Sequence, residues 1–134
     1  MDEVYNSNVM LAQCITFLSE KSILVQKTEP PYVFFDYNIL NRNLHCVFAV
    51  GEGNDPNYCR FIIPNLEAVQ GNNNINDVVG QITAEHKAGK AFMVGGKVWL
   101  SVECFVYSTE NIKSLYDRMF SVLVKICQKY LQYN

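Results

Sequence analysis

Residues 91–107 read AFMVGGKVWLSVECFVY and carry the strongest local signal in the chain. Gly95 and Gly96 can both adopt the positive φ that a two-residue hairpin turn demands. In the arm after them, apolar residues alternate with polar and aromatic ones, which is the period of a strand with one buried face. The stretch therefore predicts a β-hairpin whose long second arm runs to Tyr107. The residues expected to face the core are Val98, Leu100, Val102, Cys104 and Val106.

The clearest break in the chain lies upstream of this hairpin, at Gly71-Asn72-Asn73-Asn74. Apolar residues then recur at offsets of three and four, which is the spacing of one helical face. We predict a second helix from Ile75 to about Lys87. Asn74 is expected to cap its first turn, and Gly89 is well placed to end it.

Three strands are predicted before this break, at residues 32–37, 44–50 and 58–63, because these stretches are aromatic, β-branched or alternating. A helix near residues 9–18 precedes them, with Ser7 as its expected cap, and a long apolar helix capped by Ser108 or Thr109 closes the chain. The predicted fold class is α+β, an antiparallel β-sheet with helices packed on it. The order is α-β-β-β-α-β-β-α, in a single domain spanning residues 1–134.

Composition and charge exclude several classes of function. The formal net charge is −2, and the Lys and Arg residues are scattered, so no basic face for nucleic acid is expected. The longest apolar runs are far shorter than the ~20 residues that a membrane helix needs. The first six residues are acidic and polar, unlike a secretory signal, so we expect a cytoplasmic protein.

The cysteines do not form a framework. There are five of them, Cys14, Cys46, Cys59, Cys104 and Cys127, an odd number without a CxxC pair. Each lies among apolar neighbours, so they are expected to be small buried residues with inert thiols in a reducing compartment.

No catalytic, cofactor or metal site is predicted. His86 lacks the second histidine of a zinc-protease helix and is expected to be half-buried near a helix end, and His45 is expected at the surface or at a sheet edge. The glycine-rich loop at residues 51–57 lacks the ligand spacing of a calcium loop and is expected to be a reverse turn. Neither glycine pair opens a helix after a strand, as a phosphate cradle does.

Aromatic residues are the remaining candidates for function. Trp99, Phe105 and Tyr107 alternate on one face of the hairpin strand, and Tyr32, Phe34 and Phe35 repeat the theme in the first strand. Such a face is either covered by the first and last helices or left open as a dimer or peptide contact. The predicted partner or dimer surface comprises Trp99, Glu103, Phe105, Tyr107, Tyr116 and Phe120.

The chain resembles the bacterial YbjN-like domain, which has the type III secretion chaperone-like fold. The resemblance rests on residues 55–64, on residues 75–94, and on residues 98–103 with the closing helix, and it covers nearly the whole chain. It implies a non-enzymatic domain, often dimeric, whose exposed sheet or helix surface holds an extended segment of another protein. No catalytic residues come with it, and the strongly acidic balance of secretion chaperones is missing.

Two functional hypotheses follow. The first is a protein-binding or chaperone-like module that forms a homodimer through the last helix or the hairpin strand. The second is a small-molecule-binding domain or enzyme with a pocket between the second helix and the sheet, involving Glu85, His86 and Glu103.

Overall fold

The computed structural model describes residues 2–69, 74–108 and 110–133, with side chains from residue 7 onward. Within them, an antiparallel sheet has the spatial strand order β1-β2-β3-β4-β6-β5. The predicted α+β class is therefore confirmed. No helix in these ranges is both long and apolar enough to cross a membrane. In chain order the elements are α1 (Asp2–Glu20), β1 (Val25–Glu29), β2 (Tyr32–Ile39), β3 (Arg42–Val50), β4 (Tyr58–Leu66), α2 (Ile75–Glu85), β5 (Gly89–Val94), β6 (Lys97–Phe105) and α3 (Ile112–Leu131).

All three helices pack on the same face of the sheet. Alternate residues of the inner strands, such as Phe35, Phe61 and Leu100, join buried residues from α1, α2 and α3 in one core. The Tyr116 hydroxyl on α3 donates a buried hydrogen bond of 2.9 Å to the Met10 carbonyl oxygen on α1. The opposite face of the sheet, which carries the intervening residues, is called the open face below.

The hairpin predicted from the glycine pair is confirmed. Gly95 and Gly96 have φ values of 55° and 80°, so both occupy the left-handed region that glycine adopts without strain. On β6 and just after it, Val98, Leu100, Val102 and Val106 are buried as predicted. Cys104 is half-buried.

The second helix begins as predicted but ends earlier. Asn74 Oδ1 accepts two backbone N–H bonds of the first turn, at 2.9 and 3.3 Å, which confirms its capping role. Residues 71–73 lie outside the described part of the chain. The helix ends at Glu85, and His86 is already extended, with φ −124°. The prediction that Gly89 ends this helix is wrong, because Gly89 is the first residue of β5.

The start of the third helix also differs from the prediction. Asn111 precedes it in the left-handed conformation, with φ 61°, and makes no side-chain capping bond. Ser108 does not cap this helix; its Oγ accepts a hydrogen bond from the Glu110 N–H at 3.2 Å in the preceding turn. The other predicted cap, Thr109, lies outside the described residues.

The sheet contains one strand that the sequence pattern does not reveal. β1 pairs antiparallel with β2, so four strands precede α2 where three are predicted. Four of the five β1 residues are exposed, and they are polar or charged. An edge strand without a buried face lacks the period-two alternation of apolar residues from which strands are predicted.

Two residues predicted to form a partner surface lie in the core instead. Tyr116 is 0% exposed and Phe120 is 4% exposed. Both rings pack edge-on against Phe17 of α1, and their centroids lie 5.8 Å from that of Phe61 on β4. Because α3 packs against both α1 and the sheet, more than one side of it is buried. The surface role predicted for Tyr116 and Phe120 is therefore wrong.

The predicted burial of the cysteines is confirmed for four of the five: Cys14, Cys46, Cys59 and Cys127 are buried, and Cys104 is partly exposed. Burial raises the pKa of the Cys46, Cys59 and Cys127 thiols to about 12, and that of Cys14 well above its usual value. A thiol held neutral is a poor nucleophile.

We therefore expect the folded protein to react slowly with a thiol reagent such as DTNB at pH 8. Only the Cys104 thiol is expected to react promptly, whereas all five cysteines of the chain should react once guanidinium unfolds it. Prompt reaction of two or more thiols in the folded state would contradict the burial described above.

A candidate binding groove on the open face

The register of the sheet places named side chains next to one another on the open face. Phe34 of β2 lies opposite Val47 of β3, Val47 lies opposite Ile62 of β4, and Ile62 lies opposite Ser101 of β6. One row away, Arg60 of β4 lies opposite Glu103 of β6. Cross-strand neighbours of this kind are close enough for their side chains to touch.

Three adjoining clefts run across this face. The middle cleft, of about 310 Å³, is lined mainly by apolar and aromatic side chains. It shares Glu52 and Arg60 with a cleft of about 450 Å³ that ends at Phe105. It shares Phe34, Val47 and Pro64 with a cleft of about 370 Å³ that ends at Asp36 and His45. Together they form one shallow depression, called the open-face groove here.

The groove is shallow and elongated. It follows β4 from Tyr58 to Pro64, a distance of roughly 20 Å at the rise of a β-strand. An extended segment of about six residues has the same length.

Aromatic rings form the walls of the middle of the groove. Tyr32 and Phe34 lie on one side, with ring centroids 6.1 Å apart. Trp99 lies on the other side and packs against Phe92 at 6.2 Å. The floor includes Ile62, which is only 3% exposed because longer side chains surround it. This part of the groove therefore offers apolar surface between flat, rigid walls.

One end of the groove is charged and internally paired. The Arg60 guanidinium forms two hydrogen bonds to the Glu52 carboxylate, at 2.6 and 3.1 Å. Glu103 accepts a hydrogen bond from the Tyr58 hydroxyl and another from the Lys90 ammonium at 3.0 Å. Partial burial opposes ionisation of Glu103, but these two donors outweigh it and lower the pKa of the carboxyl. This network fixes the side chains that frame the groove.

The opposite end has a smaller polar cluster. The Asp36 carboxylate contacts His45 Nδ1 at 2.7 Å and accepts a hydrogen bond from Asn43 Nδ2 at 3.1 Å. The contact with His45 contributes most to lowering the pKa of Asp36, and the hydrogen bond from Asn43 contributes next. His45 is exposed, which confirms its predicted surface position, although β3 is an inner strand.

The predicted partner surface is reproduced in part. Trp99 and Phe105 line the groove, and Glu103 lies beside it in contact with Tyr58. Tyr107 is 76% exposed and lies just beyond the end of β6. Tyr116 and Phe120 are absent from this face because they are buried where α3 packs against α1 and the sheet.

The groove also contains residues outside the predicted partner surface, although Tyr32 and Phe34 belong to the aromatic pattern noted in the sequence. Arg60 and Glu52 frame its charged end, and Tyr32, Phe34 and Val47 supply much of its apolar surface. Their proximity depends on the pairing of β4 with β6, which are separated in the chain by α2 and β5. Of these residues, only the aromatic ones at 32–35 formed a sequence pattern that pointed to a contact surface.

The alternative pocket between the second helix and the sheet is not formed by its three predicted residues. His86, just after the end of α2, contacts the Ile82 carbonyl oxygen of that helix through Nδ1 at 2.8 Å. Glu85 accepts a hydrogen bond from Gln81 and contacts Lys129. Glu103 lies on the open face, whereas α2 packs on the other side of the sheet. That prediction is therefore wrong as to the residues involved.

Two buried polar atoms on the open face, Trp99 Nε1 and Ser101 Oγ, have no hydrogen-bond partner among the described residues. In the same part of the chain, no group of three His, Cys, Asp or Glu side chains is arranged to hold a metal ion.

No protein-family model matches the chain, and no curated protein matches it in sequence. The geometry of the open face is thus the basis for assigning a function.

Proposed function

We propose that this chain is a protein-binding module that holds an extended segment of another protein in the open-face groove. The observation that carries the proposal is the continuity of the three clefts along β4, which suits a chain segment better than a compact ligand. Apolar pockets bounded by aromatic side chains are typical anchoring points in protein interfaces.

The charges of the groove narrow the chemistry of the partner. Three carboxylates line the groove, those of Asp36, Glu52 and Asp55, against one guanidinium, Arg60, and one imidazole, His45; Glu52 pairs with Arg60, and Asp36 pairs with His45. Electrostatic complementarity across interfaces favours partners of opposite sign. The segment proposed here is therefore apolar or aromatic in its middle and basic near its ends.

A small molecule is the second candidate for the same site. The middle cleft, at about 310 Å³, reaches the lower limit of ordinary ligand pockets, and its lining is mainly apolar. The cleft continues into its neighbours on both sides, however, so a small ligand would leave most of the groove empty.

The proposal that the chain is a divergent, non-enzymatic YbjN-like domain is supported by its α+β order and its antiparallel sheet. The predicted homodimer through the last helix has less support, because the apolar side chains of α3 are largely buried. The predicted contact through the hairpin strand stays a prediction: β6 is an inner strand, so such a contact would use its open face and not its edge.

The groove can be tested with its own fluorescent reporter, because Trp99 is the single tryptophan of the chain. Peptides enriched from a random display library on the full chain would be titrated while the tryptophan emission is recorded. We expect the enriched peptides to combine apolar and basic residues and to shift the emission. Phe34→Ala, which removes one wall and keeps the reporter, is expected to weaken binding about tenfold or more.

The matched control is Leu24→Ala, which truncates a side chain that is 74% exposed and outside the groove. It is expected to leave the affinity unchanged. Equal binding by Phe34→Ala and the wild type, or the absence of any enriched peptide, would overturn the proposal. Emission shifts from small aromatic molecules in the absence of peptide binding would favour the second candidate.

A further inference from the structure

The two edges of the sheet, as the described residues form it, are protected differently. At β5, the Thr83 hydroxyl of α2 donates to the Ala91 carbonyl oxygen at 3.2 Å and accepts from the Ala91 N–H at 3.0 Å. The backbone groups of Ala91, in the middle of this edge strand, are therefore engaged by α2. At β1, Lys27, Thr28 and Glu29 are all exposed. An uncovered edge is a template for pairing with another strand.

The hydrogen-bond pattern shows which β1 groups are free. The Val50 N–H donates to the Pro31 carbonyl oxygen at 3.2 Å, so Pro31 bonds toward β3. In an antiparallel sheet, successive residues bond to opposite sides, so Tyr32 and Phe34 bond toward β1. Their partners there are Glu29 and Lys27. The N–H and carbonyl of Thr28, between these two, therefore point outward from the sheet edge.

We propose that β1 pairs antiparallel with β1 of a second copy of this chain, in a register centred on Thr28. The two outward backbone groups of Thr28 would then form a reciprocal pair of hydrogen bonds with those of the other Thr28. The two sheets would join edge to edge, with both open faces on the same side. The proposal does not rest on the function proposed for the open-face groove.

Charge selects this register among the possible ones. In a two-fold pair of this kind, opposed residues lie on the same face, so the axis must pass through a single residue. Centring on Lys27 opposes two lysines, and centring on Glu29 opposes two glutamates. Lys27 and Glu29 form an ion pair within one chain, at 2.7 Å. Centring on Thr28 places Lys27 of each copy opposite Glu29 of the other, so these charges can also pair across the axis, and opposed unlike charges stabilise a strand pair.

Charged residues on an edge strand often prevent pairing, and this alternative makes a different prediction. If Lys27 and Glu29 only protect the edge, neutralising both should promote association. If they select the register, neutralising both should weaken it. Because β1 is short, the interface is small and the association is expected to be weak, so concentrations up to ~1 mM are needed to observe it.

Sedimentation equilibrium of the full chain over a concentration series provides the test. We expect the wild type to associate reversibly, and Lys27→Glu and Glu29→Lys each to raise the dissociation constant roughly tenfold. The double variant Lys27→Glu/Glu29→Lys is expected to restore it. Lys125→Glu, an equal charge change on an exposed residue of α3, and Trp99→Ala in the groove should behave as the wild type.

Two further variants make the result decisive. Thr28→Pro removes the outward donor without removing a hydrogen bond to β2, so it is expected to abolish association while a denaturation curve shows that the chain is folded. The neutral variant Lys27→Thr/Glu29→Thr is expected to associate more weakly than the wild type. A monomeric wild type at ~1 mM, failure of the double reversal to restore pairing, or stronger pairing by the neutral variant would overturn the proposal.

Discussion

Replacing Phe61 with alanine is expected to lower the free energy of unfolding by about 3–5 kcal/mol, the usual cost of removing a buried phenylalanine ring. Phe61 is 0% exposed and lies in the middle of β4. Its ring centroid is 4.9–6.3 Å from those of its aromatic neighbours, and the contacts include both edge-on and tilted pairs. These neighbours are Phe17, Phe35, Phe48, Tyr116 and Phe120.

The reason for so large an effect is the position of the ring. Its neighbours come from α1, β2, β3 and α3, so the cavity would lie where the helices meet the sheet. Several rings would each lose contact area, and a core of rigid aromatic side chains closes only partly around a void. Given typical stabilities of about 5–15 kcal/mol, the variant would lose a large share of its stability.

Urea denaturation followed by circular dichroism would measure the change. Phe105→Ala is the matched control, since Phe105 is 52% exposed at the end of β6 and its ring packs against Tyr58, with centroids 5.5 Å apart, and not within the buried cluster. Its substitution is expected to cost less than about 1 kcal/mol. A loss below about 1 kcal/mol for Phe61→Ala would mean that the aromatic cluster is not the centre of the core.

The features that the sequence predicts well are those determined by near neighbours in the chain. The hairpin needs only Gly95-Gly96 and the alternation after it, and the start of α2 needs only Asn74 and the apolar period. In both cases the local backbone preference agrees with the final fold. For this reason the α+β class and most element positions could be predicted without any knowledge of tertiary contacts.

The groove could not be predicted in the same way. Arg60 and Glu103 are neighbours because β4 pairs with β6 and not with β5, and no local pattern specifies that choice. The alternation around Trp99 shows that one side of β6 is polar and aromatic. It does not show whether a helix covers that side, which depends on where all three helices pack.

The burial of Tyr116 shows the same limit for a residue that was predicted to be exposed. On a helix, a wide apolar stripe is compatible with an exposed flank for binding or with two buried sides. Tyr116 is buried because its hydroxyl donates to the Met10 carbonyl oxygen and its ring packs against Phe17. Met10 and Phe17 both belong to α1, at the other end of the chain. Sequence periodicity identifies an apolar face but not the element that covers it.

Gly89 provides the second prediction with a large expected effect. A Cβ at this position would lie 3.0 Å from Ile126 Cδ1 and 3.3 Å from both Ile126 Cγ2 and Val122 Cγ1. The glycine is therefore required by the close approach of α3 to β5. Ile126 is 0% exposed and β-branched, so it has little freedom to move aside. We expect Gly89→Ala to lower the free energy of unfolding by about 1–2 kcal/mol, because overpacking outweighs the entropy gained by losing a glycine.

A second glycine, Gly80, provides a control for the same substitution at a site with free space. Gly80 is exposed in the middle of α2, and a Cβ there would meet nothing within 4 Å. Gly80→Ala is therefore expected to stabilise the protein by about 0.5–1 kcal/mol, since alanine favours the helix. Glycine-to-alanine substitution should thus change the free energy of unfolding in opposite directions at the two sites, as measured by chemical denaturation.

Ile126→Val, which removes the Cδ1 atom nearest to the new methyl group, should cost less in the Gly89→Ala background than alone. Equal costs in both backgrounds would show that this contact is not the source of the strain.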